Sequence, residues 1–162
     1  MAVAKVVATR GTCDRLYSGS VLVKNGRIIA TGYNGSPPGL PHCSDVGHLM
    51  EEGHCVRTIH GEHNVLLQTA IQGGVSTIGS TMYTKYSPCV HCVKYVIACG
   101  VKRIVAAKIY RNSKTLETLR SAGVEVVQYQ EKPEWRKELL QTFSEDVPDR
   151  TNEGGVKITG VS

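Results

Sequence analysis

The stretch SVLVKNGRIIATG, residues 20–32, constrains this chain more than any other. Two β-rich runs flank Asn25-Gly26, the preferred pair for the positive-φ positions of a type I′ turn. The segment predicts a β-hairpin. YNGSPPGLPHC, residues 33–43, is rich in Gly, Pro and Ser and must be a loop, and residues 44–57 read as irregular. A helix follows from Thr58 to Gln72, capped by Thr58 and stopped by Gly73-Gly74. TMYTK (81–85) is a short strand. SPCVHCVKYVIACG (87–100) is a helix with Ser87 as N-cap, Pro88 in the first helical position and Gly100 at its end. RIVAA (103–107) is a strand, residues 113–122 a helix capped by Ser113 and stopped by Gly123, and VEVVQY (124–129) the last strand. Strand and helix alternate after the hairpin, which predicts an α/β protein with a mixed central sheet of about five strands flanked by helices.

The chain divides at about residue 130. EKPEWRKELLQTF (131–143) predicts one more short helix bearing Trp135, Leu139, Leu140 and Phe143, and a polar, loosely ordered extension follows from Ser144. A length of 162 residues suits one compact domain with a real core. No apolar stretch is long enough to span a membrane, and the N-terminus lacks a signal-peptide layout, so a cytoplasmic protein is expected. The net charge of +5 fits nucleic acid, an anionic small substrate or neither. The basic residues are scattered, and the single Trp lies in the tail, which argues against a nucleic-acid partner.

Six cysteines in a chain without an export signal point to metal ligation or burial rather than disulfides. Cys99, in the apolar run KYVIACG, reads as a core residue. Cys89 and Cys92 stand three residues apart at the predicted start of a helix, where both side chains reach one point and the helix dipole favours thiolates. His60 lies at the start of the preceding helix, and the βα alternation can bring the two helix starts to one edge of the sheet. His60, Cys89 and Cys92 would then make three ligands of a tetrahedral zinc, with the fourth position left for water as in catalytic sites. Two thiolates neutralise the ion, and such a site lowers the pKa of water from about 15.7 toward roughly 7. Glu62, two residues from His60, is placed to move protons without ligating. The alternative for a lone C-x-x-C is a structural or redox site, but a zinc ribbon needs a second pair and a thioredoxin-type site has no use for H-x-E.

H-x-E followed by P-C-x-x-C is the signature of zinc deaminases. With TCDR (12–15), GSVLVKNGRIIATGYNGSPPG (19–39), HCVRTIHGEHN (54–64), YSPCVHC (86–92) and GVKRIV (100–105), the chain resembles the deoxycytidylate (dCMP) deaminases, in their bacterial, competence-associated and phage-like branch of the cytidine deaminase superfamily. The resemblance covers about residues 5–130. It implies a cytidine deaminase-like fold, a deaminase domain at 1–130 with 131–162 as an appendage, and hydrolysis of dCMP to dUMP and ammonia. It further implies that Glu62 protonates N3 and then the leaving amine. The Gly61 N–H contacts the base O2, the Ser87 carbonyl orients the amine, and Asn34 of GYNG helps hold the nucleotide. Arg15, Tyr110 and Arg111 are assigned to the phosphate by position. Related alternatives are a deaminase of dCTP or of a 5-modified dCMP, a nucleic-acid deaminase, or an inactive nucleotide-binding regulator.

The resemblance also implies a homo-oligomer such as a hexamer, with dCTP and dTTP as effectors and Mg2+ accompanying the allosteric nucleotide. Some members of the branch carry a second, structural zinc. Here Cys13, Cys43 and Cys55 with one histidine, His48, would satisfy tetrahedral ligation; three free or buried thiols are the alternative. The family usually has alanine at the positions of Gly61 and Val65. The missing methyl of Gly61 is expected to leave room close to the base, with neutral drift as the other reading. His63 and His91 are expected to be packing or surface residues.

Overall fold

A computed structural model describes residues 1–109 and 113–144. Asn25 and Gly26 take φ angles of 51° and 73°, the left-handed pair of a type I′ turn, and join β1 (Gly19–Lys24) to β2 (Arg27–Tyr33). Three further strands, β5 (Thr81–Tyr86), β6 (Arg103–Lys108) and β7 (Glu125–Gln128), complete a sheet of order β2-β1-β5-β6-β7. β1 runs antiparallel to both β2 and β5, whereas β5, β6 and β7 are parallel, because each step between them crosses over through a helix. Those helices are α4 (Val93–Ala98) and α5 (Ser113–Ser121). The mixed five-stranded sheet flanked by helices is the expected fold.

Helix α3 (Gly61–Ile71) packs on β2 and β1, while α1 (Ala2–Ala8) packs on β1, β2 and β5. Two glycines set these approaches. A Cβ on Gly19 would fall 2.9 Å from the Cα of Ala8, and one on Gly32 would fall 2.7 Å from the Cα of Val65. Ser20, not Gly19, pairs with Gly32 across the hairpin, so α1 and α3 lie on opposite faces. The core under α3 is built from fully buried Leu22, Val65, Met82, Val96 and Ile104.

Five local expectations are corrected. The N-terminal stretch, for which no element was expected, is helix α1. Residues 44–57 are not irregular: they hold most of the one-turn helix α2 (Cys43–Val46), whose His42 N–H donates to Asp45 Oδ2 at 3.1 Å, and the ribbon of β3 (Met50–Glu51) with β4 (His54–Cys55). Helix α3 starts at Gly61 with His60 as its N-cap, not at Thr58, because the backbone of Ile59 is tied to Gly35 in an antiparallel bridge. Helix α4 starts at Val93 rather than at Pro88. Cys89 and Cys92 occupy the turn before it, where the Cys89 carbonyl accepts from the N–H of Cys92 at 3.1 Å and of Val93 at 2.9 Å. Cys99 is half-buried against the core rather than inside it.

Met1–Tyr129 forms one compact unit and the chain from Gln130 a second. Within the latter, α6 (Pro133–Ser144) begins with proline, whose missing N–H is no loss in a first turn, and carries Glu134 there to complement the helix dipole. Among the described residues no helix is long and apolar enough to cross a membrane.

Candidate active site

The site forms at the carboxyl ends of the parallel strands, where open α/β sheets hold ligands. β5 ends at Tyr86, and the next N–H, of Ser87, donates to the carbonyl of Lys108 at the end of β6, at 2.9 Å. This joint sends the chain into the Cys89–Cys92 turn. From the other side, the Gly35–Ile59 bridge delivers His60 in extended conformation (φ −68°, ψ 150°), and its carbonyl accepts the N–H of Asn64 to start α3. His60 Nδ1 thereby lies 3.4 Å from Cys89 Sγ and 3.5 Å from Cys92 Sγ. A tetrahedral zinc, with Zn–N near 2.05 Å and Zn–S near 2.3 Å, sets nitrogen and sulfur about 3.6 Å apart. The donor set fits that ion.

In the metal-free cluster one thiol is ionised, and the protons on the other ligands are those a cation would displace. Cys89 is pushed down to about 3, first by its hydrogen bond with Cys92 and then by His60, against the cost of its burial. Cys92 is pushed up by the same bond and by burial, so the pair shares one proton with the charge on Cys89. His60 is raised, chiefly by Cys89. Glu62, in the first turn of α3, is 5% exposed, and this burial lifts its carboxyl to about 7. The Thr84 hydroxyl on β5 points at Glu62 Oε1 from 3.5 Å.

Arg15, Asn34, His60, Glu62, Ser87 and Cys89 all line one cavity. Gly61 does not. Its N–H donates to Asn34 Oδ1 at 2.7 Å, and the Asn34 Nδ2 donates to the Leu16 carbonyl at 3.0 Å. A Cβ on Gly61 would lie 3.2 Å from the Ser18 carbonyl, 3.4 Å from that of Gly32 and 3.5 Å from Asn34 Oδ1, so the missing methyl faces close-packed polar atoms of the hairpin and its flanks. The expected extra room beside a base is absent; the glycine relieves packing between α3 and the hairpin. Arg15 donates to the carbonyl of Gly53 at 2.6 Å and so ties the β3–β4 ribbon to the cavity rim. Tyr110 and Arg111 lie outside the described residues. The sequence reading missed Ser18, His54 and Tyr86 in the cavity lining and Lys108 in the adjoining groove. Tyr86 and His54 fall inside the stretches YSPCVHC and HCVRTIHGEHN, but nothing there marks them as lining residues, and Ser18 and Lys108 are placed by strand ends that leave no motif. His63 stacks on Tyr95 at 4.3 Å, and His91 meets His54 edge-on at 6.1 Å.

A second cluster brings together Cys13, Cys43, His48 and Cys55, with one ligand atom from each lying within 4.8 Å of all the others. Cys43 and Cys55 Sγ are 3.6 Å apart, close to the edge of about 3.8 Å that two sulfurs span on a tetrahedral zinc. Cys13 Sγ is 3.7 Å from His48 Nδ1, and the other ring nitrogen of His48 lies 3.3 Å from Asp14 Oδ1, the kind of carboxylate partner that orients a ligating histidine. Burial and the Cys55 thiol push Cys43 up to about 12. Burial opposes ionisation of Cys55 too, but hydrogen bonds from the Arg57 backbone and the Cys43 thiol outweigh it and bring Cys55 to about 7.

Comparison with known proteins follows the same lines. Residues 1–108 match the cytidine and deoxycytidylate deaminase zinc-binding region. ComE operon protein 2 of Bacillus subtilis is 43% identical over 79% of this chain and 68% of its own length. The deoxycytidylate deaminase of Enterobacteria phage T4 is 33% identical over 76% of this chain and 84% of its own. A crystal structure of the dCMP deaminase from cyanophage S-TIM5, in complex with dCMP and dUMP, superposes with a TM-score of 0.69 at 31% identity, covering 79% of this chain and 92% of that one. By motif, fold and these likenesses, the chain belongs to the cytidine and deoxycytidylate deaminase zinc-binding family.

Proposed function

We propose that this chain is a zinc-dependent hydrolase that removes the C4 amine of dCMP, giving dUMP and ammonia. The observation that carries the reading is the convergence of His60, Cys89 and Cys92 beside buried Glu62, and relatives that are deoxycytidylate deaminases over most of their length support the substrate. Zinc held by His60, Cys89 and Cys92 would make a water molecule nucleophilic at neutral pH. Glu62 takes the proton that water gives up and delivers it to N3 of the ring, then moves the proton of the new C4 hydroxyl to the amine, so that the C4–N bond breaks, C4 becomes a carbonyl and ammonia leaves. A carboxyl near 7 suits both transfers, and a neighbouring cation favours its ionised form. The Ser87 carbonyl orients the amine. Asn34 already holds the Gly61 N–H, so the base O2 competes with its side chain for that donor. Arg15 takes the phosphate at the cavity rim, with Tyr110 and Arg111 assigned by position in the sequence.

The proposal extends to a second zinc on Cys13, Cys43, His48 and Cys55, supported by four ligand atoms within 4.8 Å of one another and by the 3.6 and 3.7 Å pairs among them. It places the activity in residues 1–130. It also includes dCTP as activator and dTTP as inhibitor, with Mg2+ on the bound nucleotide, in a homo-oligomer such as a hexamer; the G-Y-N-G stretch at 32–35, at the end of β2, is the support. Ammonia release from dCMP, dCTP, 5-methyl-dCMP and a short single-stranded DNA tests the reading, with Glu62→Gln as control. Highest kcat/KM on dCMP, lost in the control, is expected. Preference for dCTP or 5-methyl-dCMP gives the activity to that nucleotide instead, and no release from any of them refutes a deaminase. Velocity against added dCTP and dTTP, and sedimentation, check regulation and assembly.

A further inference from the structure

We propose that Ser20 and Thr84 form a buried hydroxyl chain that positions Glu62 for proton transfer. Ser20 Oγ donates to Thr84 Oγ1 at 2.9 Å, and Thr84 Oγ1 is aimed at Glu62 Oε1 from 3.5 Å. Both hydroxyl residues are fully buried. They are direct cross-strand partners between β1 and β5, and Gly32 is the partner of Ser20 on the other side, so all three lie on the sheet face under α3. The next pair along the same face, Leu22 with Met82, is apolar and equally buried.

Two hydroxyls in such a core cost stability unless their hydrogen bonds are made. An alanine–valine pair would fill nearly the same space without that cost, so packing alone does not account for them. Their bonds run in one direction. A carboxylate only accepts, so the single Thr84 proton turns toward Glu62, and the Ser20 proton then belongs to the Thr84 oxygen. Ser20 thus fixes the Thr84 rotor, and Thr84 fixes Oε1. When Glu62 carries a proton, the same hydroxyl can rotate and accept, so Oε1 keeps its place through both states of the carboxyl. The 3.5 Å approach is long for an O–H···O bond, and catalytic hydrogen bonds of this kind tighten once ligand closes the site. One carboxyl oxygen is anchored to the sheet, which leaves Oε2 to exchange protons with the ring and the amine. Ser20 and Thr84 are positioning residues: neither touches the substrate.

The inference rests on the proton-transfer role proposed for Glu62, and the test separates the two. The zinc-loaded enzyme is compared with Ser20→Ala, Thr84→Val, the double variant and Thr84→Ser, alongside Glu62→Gln. Thr84→Val is expected to lower kcat about tenfold, the scale of a hydrogen bond to a charged group, and Ser20→Ala about threefold, both at unchanged KM. The double variant should match Thr84→Val, because Ser20 acts only through Thr84, and should be at least as thermally stable as the wild type. Thr84→Ser should restore kcat to within about twofold of wild type, since it keeps the hydroxyl. Unchanged kcat in Thr84→Val, or losses that simply multiply in the double variant, would overturn the chain while leaving Glu62 in place if Glu62→Gln is inactive. An active Glu62→Gln would instead overturn the role of Glu62 and the inference with it.

Discussion

Replacing Gly32 with alanine attacks the joint between sheet and active site. The new Cβ would fall 2.7 Å from Val65 Cα and 2.8 Å from the Gly61 carbonyl oxygen, and it would overlap the Val65 backbone nitrogen. Carbon atoms pack at about 3.5–4.0 Å, so α3 has to withdraw by about 1 Å. None of the blocking atoms is a side-chain end that can swing away. Helix α3 carries Glu62 in its first turn and His60 as its cap, whereas Cys89 and Cys92 sit on a separate turn. A withdrawal of that size therefore changes the 3.4 and 3.5 Å spacings of His60 to the two sulfurs and draws Glu62 back from the ring. Overpacking at such a site costs about 1–3 kcal/mol. A misplacement near 1 Å costs about a hundredfold in rate. Steady-state kinetics on the zinc-loaded protein and a thermal melt should show both losses. Gly61→Ala is the contrast. Its Cβ contacts of 3.2 and 3.4 Å require shifts of a few tenths of an ångström, and alanine regains up to about 1 kcal/mol of helix propensity, so kcat should stay within about threefold. The relative rates on cytosine and 5-substituted nucleotides should not move, because the methyl meets the Ser18 and Gly32 carbonyls and Gly61 does not line the cavity. Near wild-type kcat and melting in Gly32→Ala, or a changed base preference in Gly61→Ala, would refute this account of the joint.

Other consequences are as direct. In the metal-free protein, Glu62 is raised from 4.5 to about 7, so the folded state holds a proton that the unfolded chain releases. Its contribution is full below about pH 4.5 and is lost as pH rises through 7, a swing of about 3 kcal/mol. Metal-free Glu62→Gln should therefore be more stable than metal-free wild type at pH 8 and nearly equal to it at pH 5, by denaturant titration; equal midpoints at both pH values would contradict the burial argument. Cys43→Ser should lower bound zinc, measured by elemental analysis, from two ions per chain to one, and a wild type that binds one removes the second site. Arg15→Ala should raise KM for dCMP about tenfold or more while sparing activity on deoxycytidine, the scale of a lost charge-assisted hydrogen bond; equal losses on both substrates would remove Arg15 from the phosphate.

The hairpin was legible because Asn25-Gly26 encodes its turn locally, and the parallel half of the sheet was legible because caps and glycines mark each strand and helix boundary. What escaped depends on contacts distant in sequence. Helix α1, with seven residues, is too short to stand alone, and its Ala4 and Ala8 are buried where α1 crosses Gly19. The β3–β4 turn uses Glu52 at φ 45° before Gly53, a residue type that gives no turn signal. Thr58 and Ser87 read as caps, yet tertiary bonds moved both helix starts downstream, to His60 and Cys92. In the site, the ligand spacing of His60, Cys89 and Cys92 was visible in the motif, as was the position of Glu62. The Ser20–Thr84 pair was not, because it exists only in the β1–β5 register.

The two cysteine clusters meet at one cavity, so a metal in the second cluster would have a role beyond stiffening a loop. Cys13 and Cys55 line the cavity together with His60 and Cys89, and Arg15 follows Cys13 by two residues. The Arg15 guanidinium holds Gly53, which lies two residues before Cys55. The rim is therefore a closed circuit: Cys13 to Arg15 along the chain, Arg15 to Gly53 by hydrogen bond, Gly53 to Cys55 along the chain, and Cys55 back to Cys13 through the cluster. A metal in that cluster would fix where Arg15 stands, whereas His60, Glu62, Cys89 and Cys92 are held by α3, the Gly35–Ile59 bridge and the turn after β5. Loss of the second metal should consequently appear as weaker nucleotide binding at the rim, and loss of the first as absent chemistry.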